Sequence, residues 1–467
     1  MYSLDDTIVA ISTPVGEGGI GIVRMSGPDA VSISAALFHP ASPQAVEPCP
    51  PPLIPFHLHY GYILDPATGE RVDEVLIVHM PEPRTYTRQD VVEINGHGGI
   101  VALRRILALC LRQGARLAEP GEFTARAFLN GRLDLAQAEA VLDIVRAKTD
   151  RSLQAAVEQL AGRLSGDVRA IRATLVEALA YLEASIDFPE DEIPERDLRL
   201  DLQKAGAGLA RLLADADRGI VYRQGVRAAI VGCPNVGKSS LLNRLLRTSR
   251  AIVTDIPGTT RDTLEETLNL QGVPVVLVDT AGIGTLAQNP IEALGIERSR
   301  AALAQADLAL LVVDASRPPA DADRAIAALI GARPAIVVLN KIDLVTGLPS
   351  SHLGADGRSC LLDAPAVALS ALTGEGLDRL EEAIVEPVLS GQVTASAPVV
   401  TNPRHKEALS QALDHVEAAR QACRAGLAVD LLAIDLAAAV NALGEITGQT
   451  ASQDLVSTIF SNFCVGK

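Results

Sequence analysis

The stretch "RAAIVGCPNVGKSSLLNRLL", residues 227–246, joins a short apolar run, a glycine-bounded loop and an amphipathic segment. Its centre, from Gly232 to Ser239, matches the pattern G-x-x-x-x-G-K-[ST]. The apolar run predicts a strand and the following segment a helix, which is the context that this pattern requires. Because loop N–H groups and a helix N-terminus bind phosphates, we predict a P-loop. Lys238 should reach the β- and γ-phosphates of a nucleotide, and the Ser239 hydroxyl should bind Mg²⁺.

Four more apolar runs follow the P-loop, with helical stretches between them: "VPVVLVD" (273–279), "DLALLVVD" (307–314), "PAIVVLN" (334–340) and "PAVALS" (365–370). Continuous Val, Ile and Leu without alternation is typical of parallel strands buried on both faces. The region from about 220 to 386 is therefore predicted to be one α/β domain around a parallel sheet.

Short motifs near the ends of these runs indicate which nucleotide binds. "DTAG" (279–282) offers an acid near the metal and a glycine N–H for the γ-phosphate, and Thr260 in "GTTRD" (258–262) is favoured as a second Mg²⁺ ligand. Asp343 in "NKID" (340–343) can accept hydrogen bonds from the ring N–H and amine of guanine, whereas adenine has no such donor pair. A backbone N–H of "SAL" (370–372) can contact the guanine carbonyl. Together the motifs predict GTP binding.

Ile283 follows "DTAG" at the position where Ras-type GTPases carry the glutamine that orients the attacking water. Asn235 and the oxygens of "IVTDIPGTT" (252–260) can instead coordinate a monovalent cation, which would place positive charge where an arginine finger otherwise lies. Water orientation would then fall to a carboxylate of "NPIEALGIERSR" (289–300). Glu292 and Glu297 are the candidates; the alternative is that both are solvated helix residues.

The regions on either side of this α/β domain have different textures. Residues 1–119 mix short β-like runs with one helix-like stretch and predict an α+β domain. Beyond them, apolar residues at helical spacing predict one long amphipathic helix: Leu153, Val157, Leu160, Leu164, Val168, Ile171, Leu175, Leu179, Leu182 and Ile186. Residues 404–460 repeat the same spacing without proline. We therefore predict a helical domain made of two separated segments, with the α/β domain inserted between them.

Composition limits where the protein works and what it contacts. The net charge of −16 argues against sequence-independent coating of nucleic acid, so an RNA contact should be local or shared with a more basic partner. No apolar run approaches the ~18 residues that cross a bilayer, and the acidic N-terminus does not resemble a signal peptide. These features predict a cytoplasmic protein that is not bound to membranes. Buried, reduced thiols are expected for five cysteines: Cys49, Cys110, Cys233, Cys360 and Cys423.

The motifs in order resemble one family, that of the MnmE (TrmE) tRNA-modification GTPases. The resemblance spans the chain and is carried by "QDVVEINGHGG" (89–99), "PGEFTARAFLNGRLDLAQAEA" (120–140), "GCPNVGKSSLLN" (232–243), "IEALGIERSR" (291–300) and "FCVGK" (463–467). It implies an N-terminal α+β folate-binding and dimerisation domain (1–119), a helical domain in two segments (120–219 and 387–467) and an inserted Ras-like P-loop G domain (220–386).

The resemblance also implies an activity. A member of this family is expected to be a K⁺-stimulated GTP hydrolase that works as a homodimer with an MnmG-like flavoprotein, in a heterotetramer. The pair would modify carbon 5 of the wobble uridine of certain tRNAs, leaving an aminomethyl or carboxymethylaminomethyl group, with a tetrahydrofolate as one-carbon donor. The alternative is a regulatory GTPase of ribosome assembly. Relatives of that class are expected to carry a GXXG-type RNA-binding domain or a second G domain, whereas this chain has one set of GTPase motifs.

The family pattern assigns roles to matching positions. It implies K⁺ ligands at Asn235, Thr254, Ile256 and Thr259, and selects Glu292 as the water-orienting residue. Contacts to 5-formyl-tetrahydrofolate or a related tetrahydrofolate are implied for Arg24, Glu93, Arg132 and Lys467. Arg132 stands where some members have lysine, which changes the hydrogen-bond geometry. Cys464 would lie near the folate, either as a reactive catalytic thiol or as a buried one.

The residues predicted to bind the nucleotide and its metal ions are Asn235, Val236, Gly237, Lys238, Ser239, Ser240, Thr254, Asp255, Ile256, Pro257, Gly258, Thr259, Thr260, Asp279, Thr280, Ala281, Gly282, Asn340, Lys341, Asp343, Ser370 and Ala371.

Overall fold

An antiparallel sheet forms the N-terminal part of the computed structural model, which describes residues 4–14, 16–41, 53–188, 196–249, 266–278, 300, 302–345, 347, 352–353, 358–386 and 399–466. The strands are β1 (Ile8–Ile11), β2 (Gly21–Ser26), β3 (Phe38–Pro40), β4 (Leu58–Leu64), β5 (Arg71–Met80), β6 (Val91–Gly96) and β7 (Arg116–Leu117), in the order β3-β4-β5-β6-β2-β1-β7. Among these described strands, β1 and β7 are the one parallel pair. Helices α1 (Ala30–Leu37) and α2 (Ile100–Arg112) cover one face.

The period-2 pattern of these strands divides the sheet into two faces. Val23, Ile77 and Ile94 are buried beneath α1 and α2. Arg24 lies opposite Glu93, and Glu93 lies opposite Val78, so these residues share the other face. That face is covered near β1, where Ile8 packs against Phe123, and is exposed around β4 and β5.

The first segment of the helical domain begins after β7. Its helices are α3 (Glu122–Leu129), α4 (Leu135–Arg146), α5 (Asp150–Leu160), α6 (Arg163–Asp187), α7 (Leu198–Leu213) and α8 (Ala216–Gln224). The prediction of one long helix from Leu153 to Ile186 is wrong, because the chain turns between α5 and α6. Gly162 adopts a φ of +87° there, a conformation that glycine tolerates best. The Gln137 amide also caps α5 by donating to the carbonyl of Leu160.

The inserted domain is built on a six-stranded sheet in the order β13-β12-β11-β8-β10-β9. Its elements are β8 (Val226–Val231), α9 (Lys238–Ser249), β9 (Glu266–Leu270), β10 (Val273–Val278), β11 (Leu308–Asp314), α10 (Asp321–Ile330), β12 (Ala335–Asn340), a 3₁₀ helix (Ile342–Leu344), β13 (Ala366–Ala368) and α11 (Leu377–Val385). All neighbouring strands are parallel except β9 and β10. The carboxyl ends of β8, β11 and β12 therefore meet at one edge, where ligands of such sheets bind.

The chain then returns to the helical domain through α12 (Pro403–Ala425), α13 (Val429–Thr447) and α14 (Gln453–Ser461). Helices α6 and α7 from the first segment share one apolar core with α12 and α13 from the second. The predicted fold class is confirmed: an α+β N-terminal domain, a helical domain from two chain segments and an inserted Ras-like P-loop domain. The domain limits at 119, 219 and 386 stay predictions.

Two anchors attach helix α4 to the chain on either side of the inserted domain. Before it, the Nε of Arg223 donates to Asp143 at 2.7 Å. After it, Arg404 donates to Glu139 at 2.7 Å and His405 contacts the same carboxylate at 2.7 Å. Burial favours the neutral form of Glu139, but His405 and Arg404 outweigh it and lower its pKa to about 2. The inserted domain is thus attached to one helix at both its chain connections.

Candidate functional site

The P-loop connects β8 to α9 at the carboxyl edge of the inserted sheet. Asn235, at the exposed tip of the loop, has a φ of +64°, a conformation that asparagine tolerates better than most residues. Val236 points the other way and is fully buried. The first turn of α9 contains Lys238, Ser239 and Ser240. The predicted strand, loop and helix are therefore present in the order that phosphate binding requires.

The Lys238 ammonium lies over this loop. Its Nζ donates to the carbonyl oxygens of Gly232 and Cys233, each at 2.7 Å. Burial lowers the pKa of Lys238. A cation held beside the loop N–H groups is positioned to receive the phosphates of a nucleotide, which would replace the two carbonyls as its partners. Burial raises the pKa of the Cys233 thiol to about 12, so this cysteine is an inert part of the loop.

Asn340 supports the P-loop from the neighbouring strand β12. Its side chain is buried; Nδ2 donates to the carbonyl of Val236 at 2.8 Å, and Oδ1 accepts the N–H of Ala371 at 3.0 Å. A Cβ on Gly237 would overlap Nδ2 of Asn340, which requires glycine at this position. Asn340 thus joins the phosphate loop to the "SAL" motif, a supporting role that the motif alone did not reveal.

The other residues predicted to contact the guanine base lie in the 3₁₀ helix and in the turn after β13. Asp343 is exposed in the 3₁₀ helix, and Ser370 is fully buried and caps the turn by accepting the N–H of Thr373 at 3.2 Å. The Nζ of Lys341 donates to Asp314 at 2.6 Å. Burial raises the pKa of Asp314, but the bonds from Lys341 and Ser316 outweigh this effect and hold it below its usual value. Sequence reasoning missed Asp314, although an acid at the end of a buried strand was the available signal.

Several predicted site residues lie outside the described ranges: Thr254, Asp255, Ile256, Pro257, Gly258, Thr259, Thr260, Asp279, Thr280, Ala281, Gly282, Glu292 and Lys467. Their roles stay predictions.

A second group of predicted residues meets on the face of the N-terminal sheet opposite to α1 and α2. The Nε of Arg24 donates to Glu93 at 2.8 Å across the β2–β6 pair. The guanidinium carbon of Arg132 lies 4.8 Å from the ring centroid of Tyr86, a distance at which a cation and an aromatic ring attract. Beside them is a cavity of about 220 Å³, lined by Arg24, Met80, Tyr86, Val91, Glu93 and Val141. We call this the Arg24 pocket.

The C-terminal tail, residues 462–466, reaches this pocket from the far end of the chain. Arg24 donates to the carbonyl of Gly466 at 3.4 Å, and the backbone carbonyl of Cys464 accepts the N–H of Gly121 at 3.3 Å. Gly466 packs against the carbonyl of Ile11, leaving no room for a side chain. The Cys464 side chain is exposed, so a purely buried role for it is wrong. Burial was also wrongly expected for Cys360, which is exposed, and Cys423 is only half-buried.

Sequence reasoning missed four lining residues of the pocket, Met80 and Val91 on the sheet and Tyr86 and Val141 outside its strands. Burial raises the pKa of the Tyr86 phenol, whose oxygen shares a 2.9 Å hydrogen bond with Thr124. Val141 comes from helix α4 of the helical domain. No local pattern distinguishes either residue, because each becomes part of the pocket only when two domains pack together.

Comparison with known proteins identifies the family of this chain. The sequence model described as "MnmE helical domain" matches residues 135–464, and that described as "GTP-binding protein TrmE N-terminus" matches residues 7–132. The chain belongs to the MnmE family of tRNA modification GTPases. It is 51% identical to "tRNA modification GTPase MnmE" of Roseiflexus castenholzii, over 99% of each chain. It is 50% identical to the protein of that name from Chloroflexus aurantiacus, over 99% of this chain and 100% of the relative.

Membership of the MnmE family makes this chain an enzyme, a GTPase acting in tRNA modification. GTP binding is therefore shown for the class, and the P-loop geometry fits it. Within the ranges described above, no helix has both the length and the apolar character needed to cross a membrane.

Proposed function

We propose that this chain is a K⁺-stimulated GTP hydrolase that, with an MnmG-like flavoprotein, modifies carbon 5 of the wobble uridine of certain tRNAs. The product would be an aminomethyl or carboxymethylaminomethyl group, and a tetrahydrofolate would be the one-carbon donor. The observation that carries the proposal is the match to MnmE relatives at about half identity over 99% of the chain, from the N-terminal sheet to the tail. Because tRNA is made and used in the cytoplasm, we propose that the protein works there.

The P-loop supports the proposed binding and hydrolysis of GTP. Lys238 would hold the β- and γ-phosphates, while the loop N–H groups and the α9 N-terminus bind the same oxygens. Ser239 and Thr260 would hold Mg²⁺, which neutralises charge on the phosphates. Asp343 would select guanine, because its carboxylate is exposed three residues after Asn340, which braces the P-loop. GTP hydrolysis would drive a change of domain position and leave the carbon chemistry to other groups.

The cation site is proposed for the tip of the P-loop. Asn235 is exposed there in a left-handed conformation, so its amide oxygen is accessible to an ion that contacts the phosphates. Thr254, Ile256 and Thr259 would supply the other oxygens. Bound K⁺ would supply positive charge near the transferring phosphoryl group. Glu292 would orient the water, which accounts for the apolar Ile283 at the glutamine position of Ras-type enzymes.

The Arg24 pocket supports the proposed binding of a folate. Its volume of about 220 Å³ is below the ~300–1,000 Å³ of sites that enclose a whole drug-sized ligand. It therefore fits one end of a folate, with the rest along the exposed sheet face. Arg24, Glu93 and Arg132 offer both charges, and Tyr86 offers an aromatic wall. Lys467 would add a cation next to Gly466. The bound 5-formyl-tetrahydrofolate, or a related tetrahydrofolate, would supply the one-carbon unit.

The exposed face of the N-terminal sheet supports the proposed homodimer. Large apolar side chains on and beside β4 and β5 are at least 40% exposed: Ile54, Phe56, Leu58, Tyr60 and Leu76. Contiguous exposed apolar residues of this kind mark protein contacts. They adjoin the Arg24 pocket, since β5 pairs with β6. A second copy, and a flavoprotein in a heterotetramer, are the proposed partners besides tRNA.

GTP turnover in K⁺ compared with Na⁺ tests the mechanism. Wild type should be faster in K⁺, and Asn235→Ala should lose this difference. Glu292→Ala should hydrolyse slowly while binding nucleotide normally. Asn243→Ala, in the exposed part of α9, is the matched control and should keep the stimulation. Equal wild-type rates in both salts would reject the cation mechanism.

Mass analysis of wobble uridines tests the substrate. Cells that lack the protein should lose the carbon-5 modification, and a P-loop variant should not restore it. Unchanged uridines together with a ribosome-assembly defect would favour the regulatory GTPase instead.

A further inference from the structure

Helix α4 contacts both the Arg24 pocket and the C-terminal tail. Val141 lines the pocket, and the Nη2 of Arg146, in the last turn, donates to the carbonyl of Asn462 at 2.8 Å. Buried residues of α4 and of the C-terminal segment form one apolar cluster: Leu135, Ala138, Leu142, Phe460 and Phe463. Helix α4 is therefore one of the elements that position the tail.

The residues that follow the same helix contact the G domain. Just beyond α4, the Lys148 ammonium donates to the buried Thr267 hydroxyl of β9 at 3.1 Å, and the Thr149 hydroxyl donates to the carbonyl of Gly272 at 2.8 Å. Gly272 lies in the turn between β9 and β10, close enough to the Arg151 stem that a Cβ would lie 2.5 Å from it. The hairpin thus packs against residues 148–151, at the junction of α4 and α5. We call these residues the α4–α5 corner.

The β9–β10 hairpin is adjacent in sequence to both stretches predicted to contact the γ-phosphate and its metal. Residues 254–260 precede β9, and residues 279–282 follow β10 directly. In GTPases such stretches change position with the γ-phosphate. Strand β10 continues directly into one of these stretches and so joins it to the hairpin turn that contacts the α4–α5 corner.

The middle of α4 is held more firmly than its end. Glu139 is buried and bonded to Asn402, Arg404 and His405. Arg146 and Lys148, in contrast, are exposed. A helix anchored in its middle and contacted at its end can pass a displacement of the hairpin to the tail, since α4 is itself a rigid hydrogen-bonded element.

We propose that the last two turns of α4, together with residues 147–149 that follow them, couple the nucleotide state of the G domain to the position of the C-terminal tail at the Arg24 pocket. Thr149 and Arg146 are the positioning residues, one at the hairpin and one at the tail. The inference deepens the proposed function, on which the chemical role of the tail rests. Its test requires neither folate nor tRNA.

Cys464 reports the position of the tail, because its thiol is exposed. The full-length protein is treated with N-ethylmaleimide in the presence of Mg²⁺ and K⁺, with GDP or with the non-hydrolysable analogue GppNHp. Mass spectrometry of the C-terminal peptide gives the alkylation rate of Cys464 alone. We expect the two rates in wild type to differ about fivefold, the lower end of typical couplings between sites. Equal rates would overturn the proposal.

Variants at the hairpin separate coupling from stability. Thr149→Val should reduce the difference to less than about twofold, since it removes the bond to Gly272. Thr149→Ser should restore it. Thr149 also caps α5, so Ser152→Ala, which weakens the cap but not the hairpin bond, should keep the difference. Thr267→Val removes the neighbouring contact from the G-domain side and should act like Thr149→Val. Full retention of the difference in both valine variants would overturn the proposal.

Variants at the tail complete the test. Arg146→Met should raise the Cys464 rate with both nucleotides and reduce their difference, and Arg146→Lys should partly restore it. Thr174→Val, whose hydroxyl bonds within its own exposed helical turn, is the control for handling. If wild type fails to bind 5-formyl-tetrahydrofolate, the folate assignment fails, while the nucleotide dependence of Cys464 still decides the coupling. An Arg146→Met protein that matches wild type in both rates would exclude Arg146 as a positioning residue.

Discussion

The P-loop and the Arg24 pocket are built in opposite ways. The P-loop comes from one continuous stretch, 231–240, and uses mostly backbone groups, with Asn340 and Ala371 bracing it. The Arg24 pocket takes side chains from β2, β5, β6 and α4, and its Arg24 also donates to the backbone carbonyl of Gly466 in the tail, 442 positions away. A continuous motif can be recognised from spacing alone. A pocket of scattered side chains exists only after the domains have packed.

The largest expected effect is a loss of GTP hydrolysis when Lys238 of the P-loop is replaced. Lys238→Met should lower kcat/KM for GTP at least about 100-fold, because it removes the cation that stabilises the phosphate charge. Steady-state GTP hydrolysis measures it. Lys204→Met, on the exposed side of α7, should behave like wild type. A Lys238→Met enzyme with more than a tenth of the wild-type value would contradict the assignment.

A smaller effect tests the brace between the P-loop and Asn340. In Gly237→Ala the new methyl overlaps Nδ2 of Asn340 at a φ of +97°, a strain of roughly 2 kcal/mol or about 30-fold in affinity. Titration with a fluorescent GDP analogue gives the dissociation constant. Gly331→Ala also has a positive φ, +63°, but no heavy atom lies within 4 Å of its Cβ. That control should bind GDP normally; equal losses in both variants would show that backbone strain alone is responsible.

The pocket at Arg24 should show a weaker dependence on any one residue, because several chain segments share it. Arg24→Gln should weaken 5-formyl-tetrahydrofolate binding about tenfold, the cost of one charged hydrogen bond. Isothermal titration calorimetry measures the affinity. Arg105→Gln, which breaks an exposed ion pair with Glu70 in the same domain, is the matched control. Normal affinity in the Arg24 variant would place the folate elsewhere.

The pH dependence of stability tests the buried contact between His405 and Glu139 in the helical domain. Burial lowers the pKa of His405 below its usual 6.5 despite the raising effect of Glu139, so the unfolded chain takes up a proton that the folded chain does not. The free energy of unfolding should therefore fall as pH drops below about 6.5, by at most ~1.4 kcal/mol per pH unit. Glu139, whose pKa is lowered to about 2, adds a loss in the same direction below its ordinary 4.5.

Urea denaturation at pH 7, 6 and 5 measures this slope. His405→Gln should make it shallower between pH 6.5 and 5, because glutamine binds no proton in either state. His57→Gln, at an exposed position, should keep the wild-type slope. An unchanged slope in the His405 variant would assign the acid sensitivity to other groups.

Sequence reasoning succeeded where structure is local. The P-loop, the parallel strands and the two-segment helical domain follow from spacing and hydrophobic period, and all are confirmed. It failed at Gly162, where a helical pattern continues across a turn, because period alone does not report a change of direction. It also missed the bracing role of Asn340 and the pocket residues Tyr86 and Val141. Their partners lie far away in sequence, so no local spacing identifies them.

By itself, then, the sequence determined the elements and the nucleotide loop, because both depend on neighbours a few residues apart. Only the tertiary structure decided that Arg24 faces Glu93, that the tail reaches them, and that α4 contacts the tail while Thr149, just beyond α4, contacts the β9–β10 hairpin. These contacts depend on strand register and on packing between domains, and a chain can satisfy the same local pattern without making any of them.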